Sequence, residues 1–236
     1  NLHFASEIKA LMSSGYKAEA DYEIWYDYLN FGKTDHKRET FFKNIFQLLP
    51  GEFATYKLKE GIKINKWYEF DKKISNKKET HNIKNEILDR LSKSIKLNSR
   101  ADVSLALSLS GGLDSSILMS LGLKDNIFDQ KPNCYSIVFG KDFSEKEYIN
   151  DSTQKYNLKS NFINFTKEDF KKSIEPVIWS LESPSGGLMN CALAKLCSKV
   201  KKDNHKIVLD GTGLDEGFGG YEIHHLRYLS NLKKNN

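Results

Sequence analysis

Apolar residues change their spacing along this chain, and each spacing predicts an element. Ile83, Ile87, Leu88, Leu91 and Ile95 recur at helical intervals and give one apolar face. "VSLALSL" (103–109) is a short apolar run, the pattern of a buried strand. "CYSIVF" (134–139), "NFINF" (161–165) and "KIVL" (206–209) repeat it. Helical stretches separate these runs near 145–157, 167–181 and 188–202, and another helix is expected from about Ser115. Strands alternating with helices predict an α/β fold: a parallel sheet covered by helices, with ligands at the carboxyl ends of its strands.

The first seventy residues follow a different pattern. Phe4 to Met12 reads as a short strand turning into a helix, and "YEIWYDYLNFG" (22–32) is dense in aromatics. "LLPGEFATYKL" (48–58) places a Pro-Gly turn before an alternating strand, and "IKINKWYEF" (62–70) completes a hairpin-like pair. Trp25, Trp67 and Trp179 are expected to be packing residues. The Lys- and Asn-rich segment 71–78 is the linker candidate, and no internal repeat is detected.

Composition sets bounds. With 236 residues, 39% hydrophobic and 28% charged, the chain is long enough for one or two domains with a real core. No run approaches the roughly 18–20 apolar residues of a membrane span, so no membrane partner is expected. The opening "NLHFASEIKA" has neither the basic n-region nor the apolar h-region of a signal peptide. It also lacks a methionine, so the expectation is a piece of a longer protein. Cys134, Cys191 and Cys197 form no CxxC pair, which argues for core or surface thiols in a reducing, cytoplasmic compartment rather than a zinc or disulfide framework. The net charge of +5 comes from scattered lysines, and "KKISNKK" (72–78) reads as solvated linker, so no nucleic-acid partner is expected.

Two glycine-rich loops carry the candidate chemistry. "LSLSGGLDSS" (107–116) ends the first strand, and "DGTGLDEGFGGY" (210–221) ends the last. Glycines let backbone N–H groups approach a ligand, and a following helix N-terminus favours an anion. Ser110, Ser115 and Ser116 could add hydroxyl donors. Asp114 would repel a bare phosphate, so it suggests a bridging Mg²⁺. The first turn by itself admits a second reading, a tight strand-to-helix turn with a serine cap. The second loop, with Asp215 and Glu216, tips the balance: two glycine turns at neighbouring strand ends, each with an aspartate, could hold one Mg-triphosphate. Walker A is excluded, because "FGKT" (31–34) has Asp27 where the first glycine is required. GxGxxG is absent after 103–109, and there is no GxSxG elbow.

At these residues the chain resembles a known family. "SGGLDSS" (110–116) looks like the PP-loop of ATP pyrophosphatases, and "GTGLDEGFGGY" (211–221) resembles the second signature of the asparagine synthetase branch. "FASEIKAL" (4–11) is similar to the closing strand and helix of that family's glutamine amidotransferase domain. "ETFFKNIFQLLPGEFATY" (39–56) with "KWYEF" (66–70) resembles the connection into its synthetase domain. The resemblance implies an Ntn-type amidotransferase remnant over 1–70, a linker at 71–78, and a PP-loop domain over 79–236, cut short at its C-terminus. The last is an adenine nucleotide alpha-hydrolase-like fold with helices on both faces of its parallel sheet.

It also implies AMP-forming amide synthesis. A small-molecule carboxylate attacks the α-phosphate of ATP, and ammonia drawn from glutamine displaces AMP. Carried over by position, Ser110, Gly111, Gly112, Asp114 and Ser115 would hold the pyrophosphate, and Asp114 and Asp215 would share Mg²⁺ and serve catalysis. The backbone around Ser108 and Phe139 would meet adenine, and Asp210 and Gly211 would flank the sugar and α-phosphate. "ESPSGGLMNCALAKL" (182–196) falls where the family lines its acceptor side, or is an ordinary loop before a helix. A homodimer is the assembly considered. His224 and His225 open the last helix in surface or core roles.

The chain departs from the family in three respects. Its opening lies far downstream of the glutaminase's N-terminal cysteine, so this piece alone is expected to be inactive. It stops before the helical region that completes the acceptor pocket and supplies a catalytic lysine. Asparagine synthetases usually carry a glutamate where Thr212 stands, with Glu182 or Asp210 as acids that could replace it, so an acceptor other than aspartate is considered. The competing readings are a PP-loop enzyme acting on tRNA and a non-catalytic nucleotide-binding homologue. The first would need a basic, aromatic-studded groove or catalytic cysteines. The intact Asp114 and Asp215 speak against the second.

Overall fold

The computed structural model describes residues 2–69, 82–140 and 145–235; the expected linker, 71–78, lies outside them. The chain divides into two compact units, one of Asn1–Glu79 with Trp179–Pro184, the other of Thr80–Ile178 with Ser185–Asn236.

In the first unit, α1 (Ile8–Ser13) is followed by α2 (Tyr22–Phe31), β1 (Glu52–Lys57) and β2 (Gly61–Lys66). The Asp21 side chain caps α2, accepting from the N–H groups of Glu23 and Ile24, and Gly32 ends the helix in the left-handed conformation. Ile24, Phe41 and Ile45 form the buried core, with the Trp25 ring 5.0 Å from that of Phe41. β1 and β2 make the expected antiparallel hairpin, registered Glu52 to Lys66 and Lys57 to Gly61. Residues 4–7 are not a strand, contrary to expectation: Phe4 is 87% exposed and has no ladder to join. Of the three tryptophans, Trp25 packs against the core, and the Trp67 ring meets that of the neighbouring Tyr68. Trp67 and Trp179 are exposed, so the packing role expected of them does not hold.

The helix α1 has no cap from its own neighbourhood; a remote carboxylate supplies one. Glu182 accepts from the N–H groups of Ile8 and Lys9 at 2.7 and 2.6 Å and from Lys9 Nζ at 3.1 Å. Glu182 itself sits in the left-handed region at φ 56°, where its residue type is rarely found. Burial alone would raise its pKa, but the N–H groups and the Lys9 ammonium outweigh it and hold the carboxyl below its usual range. Replacing Glu182 by alanine is expected to cost about 2 kcal/mol, within the range of hydrogen bonds to a charged group. Because the folded-state pKa is depressed, the contribution is complete above the unfolded value and is lost as pH falls through the folded one. Urea unfolding of both proteins at neutral and acid pH should show the difference vanishing in acid; a difference that persists there would remove the carboxylate from the account.

In the second unit, α3 (Ile83–Asn98) leads into β3 (Leu105–Ser108), α4 (Leu113–Lys124), β4 (Asn133–Val138), α5 (Lys146–Lys155) and β5 (Ser160–Asn164). There follow α6 (Lys167–Leu181), α7 (Leu188–Lys202), β6 (Ile207–Leu209), α8 (Leu214–Phe218) and α9 (Glu222–Asn235). The four strands lie in the order β5-β4-β3-β6, all parallel. Helices cover both faces, as the alternation predicted. Leu107, Leu109 and Cys134 pack with Met119 of α4 and Ile149 of α5 on one face. Ala106, Tyr135 and Ile163 pack with Leu196 and Val200 of α7 on the other. The first strand starts later than its apolar run, at Leu105, because Val103 is exposed. Helix α4 starts earlier than expected, at Leu113, directly after the glycine turn. Among the described residues no helix is long and apolar enough to cross a membrane.

Candidate functional site

Parallel register brings the two glycine loops together. Leu107 of β3 pairs with Leu209 of β6, so 110–116 and 210–221 leave the same end of neighbouring strands. From β3 the chain builds β4 and β5 to one side and β6 to the other, making the β3–β6 junction the topological switch point, where open α/β sheets bind ligands.

The first turn is built around glycine. Gly111 has φ 78°, and a Cβ there would lie 3.0 Å from the Glu145 Cβ. Gly112 is the N-cap of α4 and brings no side-chain cap, which leaves the first-turn N–H groups of Leu113 and Asp114 untaken by a side chain. The hydroxyls of Ser110 and Ser115 face each other at 3.2 Å inside the turn. Ser115 is buried; its Oγ accepts from Ser110 N–H at 3.3 Å and donates to the Gly112 carbonyl. Ser116 Oγ donates to the same carbonyl at 2.8 Å. These three hydroxyls hold the turn's own backbone.

The second loop lies against the first. A Cβ on Gly211 would come 2.7 Å from Ser115 N and 2.8 Å from the Asp114 carbonyl carbon, so only glycine allows this approach. Asp215 N–H donates to Asp114 Oδ2 at 3.1 Å and ties the loops directly. Asp210 Oδ1 accepts from Thr212 N–H at 2.9 Å within its own turn. Ser108 ends β3 and Phe139 follows β4, both half-buried at the same end of the sheet; the Phe139 ring stands 5.8 Å from that of Phe165. All the expected site residues thus come from β3, β4, β6 and the loops that follow them.

Asp114 and Asp215 are both half-buried. Asp114 Oδ1 and the Asp215 carboxylate accept no hydrogen bond among the described residues, leaving oxygen donors open. No group of three or more His, Cys, Asp or Glu that could hold a metal occurs among those residues. Two carboxylates with open oxygens fit Mg²⁺, which is usually bound by one or two carboxylates plus substrate phosphates and water rather than by a full protein cage.

Several contacts near the loops escaped the sequence reading. Glu145 stands over the glycine turn; an acid just past a neighbouring strand's end was the available signal. Tyr221 was quoted only as part of a motif and Glu216 was named without a partner, yet the Tyr221 hydroxyl donates to Glu216 Oε1 at 2.9 Å. His224 lies edge-on to Tyr221, with its Nδ1 buried and unpartnered. A cavity of about 340 Å³ opens beside the second loop, lined by Leu91, Ser94, Asn98, Leu118, Asp210 and Thr212 among others. Cys134 is fully buried in the sheet, where loss of solvent pushes its thiol up to about 12.

Residues 86–236 match the asparagine synthase family. The chain belongs to that family. An asparagine synthetase (glutamine-hydrolysing) of Bacillus subtilis is 25% identical over 94% of this chain and 34% of its own length. The amidase chyE of Penicillium rubens is also 25% identical, over 81% of this chain and 31% of its own. The chain therefore spans about a third of these relatives. Among solved structures, the glutamine-dependent NAD⁺ synthetase of Acinetobacter baumannii aligns over 68% of this chain and 32% of its own, at 14% identity and a TM-score of 0.40. Membership in the asparagine synthase family agrees with the resemblance carried by the two glycine loops.

Proposed function

We propose that the two loops bind ATP with Mg²⁺ and that the whole protein makes an amide by AMP-forming chemistry. The observation that carries this reading is the direct fastening of one glycine loop to the other at the switch point, through Gly211 and the Asp215–Asp114 hydrogen bond. A structural turn has no need of a second turn locked against it.

In this reading the backbone N–H groups around Gly111 and Gly112 and the start of α4 hold the β- and γ-phosphates. Asp114 and Asp215 hold Mg²⁺, which when bound neutralises charge on the departing pyrophosphate. The strand ends at Ser108 and Phe139 border adenine, and Asp210 and Gly211 border the ribose and α-phosphate. A carboxylate oxygen of the acceptor attacks the α-phosphorus, and the bond to the bridging oxygen breaks with its electrons leaving on pyrophosphate. Ammonia then attacks the acyl carbon, AMP departs with the electrons of the acyl–oxygen bond, and the nitrogen loses a proton. The chain's residues supply position and charge compensation.

Residues 1–70 are read as the closing part of a glutamine amidotransferase domain that supplies the ammonia, 71–78 as the linker, and 79–236 as the synthetase domain. The three free thiols support a cytoplasmic setting. The two relatives, each 25% identical to this chain, carry the names of different activities, an asparagine synthetase and an amidase, which supports leaving the acceptor open within the carboxylates.

Calorimetry of ATP binding with and without Mg²⁺ tests the nucleotide site. Binding should depend on the divalent ion, and Asp114→Asn or Asp215→Asn should weaken that dependence about tenfold or more without unfolding, a change of about 1.4 kcal/mol. Unchanged metal dependence in both variants would remove the shared-metal assignment.

A further inference from the structure

We propose that Tyr221, acting through Glu216, is a positioning residue that holds Asp215 in place. The proposal rests on the reading of Asp215 as a metal-binding residue and names what fixes it. The loop around Asp215 cannot fix itself. Its helix, α8, has five residues and includes Gly217, and it is flanked by Gly213 at φ 109° and Gly219 at φ 74°. So short and glycine-rich a turn has little helical stability of its own.

What closes it is a clasp centred on the Glu216 carboxylate. Oε2 accepts from Gly213 N–H at 2.9 Å, at the start of the loop, and Oε1 accepts from the Tyr221 hydroxyl at 2.9 Å, at its end. One carboxylate therefore bridges both ends of a nine-residue span, 213–221. Asp215 lies inside it. Gly220 N–H donates to the Asp215 carbonyl at 2.9 Å, and no side chain fits on Gly220 because it would overlap the Asp215 carboxylate. The turn before Tyr221 is thus packed on the very side chain whose backbone N–H reaches Asp114. Tyr221 is 45% exposed, so its hydroxyl contributes to the loop rather than to the hydrophobic core.

The test is Tyr221→Phe, which removes one hydroxyl, beside Glu216→Ala and Asp215→Asn, all with the chain described here. Amide exchange measured by NMR on the nucleotide-free protein reads the clasp directly. The amides of 213–217, that of Asp215 included, should exchange about tenfold faster in Tyr221→Phe and in Glu216→Ala, while those of β3 keep their protection. Calorimetry should show ATP affinity in the presence of Mg²⁺ falling about fivefold or more in Tyr221→Phe, with metal-free binding and melting temperature unmoved; a merely structural role would move the melting temperature instead. Unchanged exchange at Asp215 overturns the proposal whatever Asp215→Asn does. Metal-linked affinity kept in Tyr221→Phe but lost in Asp215→Asn overturns it as well. Metal dependence kept in Asp215→Asn counts against the reading of Asp215 as a metal ligand, and the exchange then judges the clasp on its own.

Discussion

A valine at Gly111 should abolish nucleotide binding while the chain still folds. Gly111 sits at φ 78°, where a β-branched side chain is strained, at a cost of about 1–2 kcal/mol. A domain with a stability of roughly 5–15 kcal/mol survives that. The phosphate site does not, because the strain is relieved by moving the backbone whose N–H groups would hold the phosphates. The new Cβ also lies 3.0 Å from that of Glu145, and the valine methyls extend over the turn from there. Losing two charge-assisted hydrogen bonds, at about 1.5–3 kcal/mol each, weakens binding at least ~100-fold. The adjacent glycine supplies the contrast. Gly112 has φ −74°, an ordinary value, and a Cβ there meets only Ser110 Oγ at 3.2 Å. Gly112→Ala should therefore cost little, about tenfold at most. Calorimetry with Mg-ATP and thermal melting of both variants decide the matter; a folded Gly111→Val protein that binds ATP normally would make the turn merely structural.

The fold of the second unit was largely legible because its strands are buried on both faces. Ala106 and Leu107 point to opposite sides of the sheet, and both are fully covered. That forces a nearly unbroken apolar run, which sequence displays well. The helices at 167–181 and 188–202 fall as expected, as α6 and α7. Where the reading failed, a local pattern lacked a long-range partner. Phe4 suggested a strand, yet a strand exists only through its ladder. Trp67 and Trp179 suggested core by residue type alone, and both face solvent.

The candidate site divides along the same line. Glycines and aspartates at strand ends are local signals, so the two loops could be read as a pair. Their fastening depends on register between strands about 100 residues apart in sequence, Leu107 on Leu209. No local spacing contains that. The serines show the limit most clearly. By sequence Ser110, Ser115 and Ser116 could add hydroxyl donors for a ligand; what sequence does not display is that Ser115 is buried and that Ser115 and Ser116 both bond the Gly112 carbonyl. Hydroxyls near a tight turn readily take up its own backbone groups. Glu182 suggested a spare acid near Thr212, but its oxygens are taken by Ile8 and Lys9, far away in sequence.

On the proposed function, the full-length protein should not favour aspartate as its acceptor. Thr212 is short and uncharged where asparagine synthetases usually place a glutamate, and general acid–base help from such a group is worth roughly 10²–10⁴ in rate. Both candidate replacements are already engaged, Glu182 through both oxygens and Asp210 through one of its two. Glu182 caps α1, and Asp210 uses Oδ1 on the N–H of Thr212 itself. The cavity that Thr212 lines has Ser94, Asn98 and the Asp210 carboxylate as further polar groups, and no lysine or arginine among the described residues that line it. A bulkier carboxylate, such as a sugar acid or a peptide side chain, could bring its own groups into the space that the missing glutamate leaves. Pyrophosphate release by the full-length protein, with ATP and ammonia, should be compared across aspartate, uronic acids and other carboxylates. The expected result is that aspartate is about 100-fold or more slower than the best acceptor, and that Thr212→Glu narrows the gap by restoring the missing acid. Aspartate emerging as the best acceptor by a wide margin would refute the assignment, because the carboxylate at position 212 would then be shown to be dispensable.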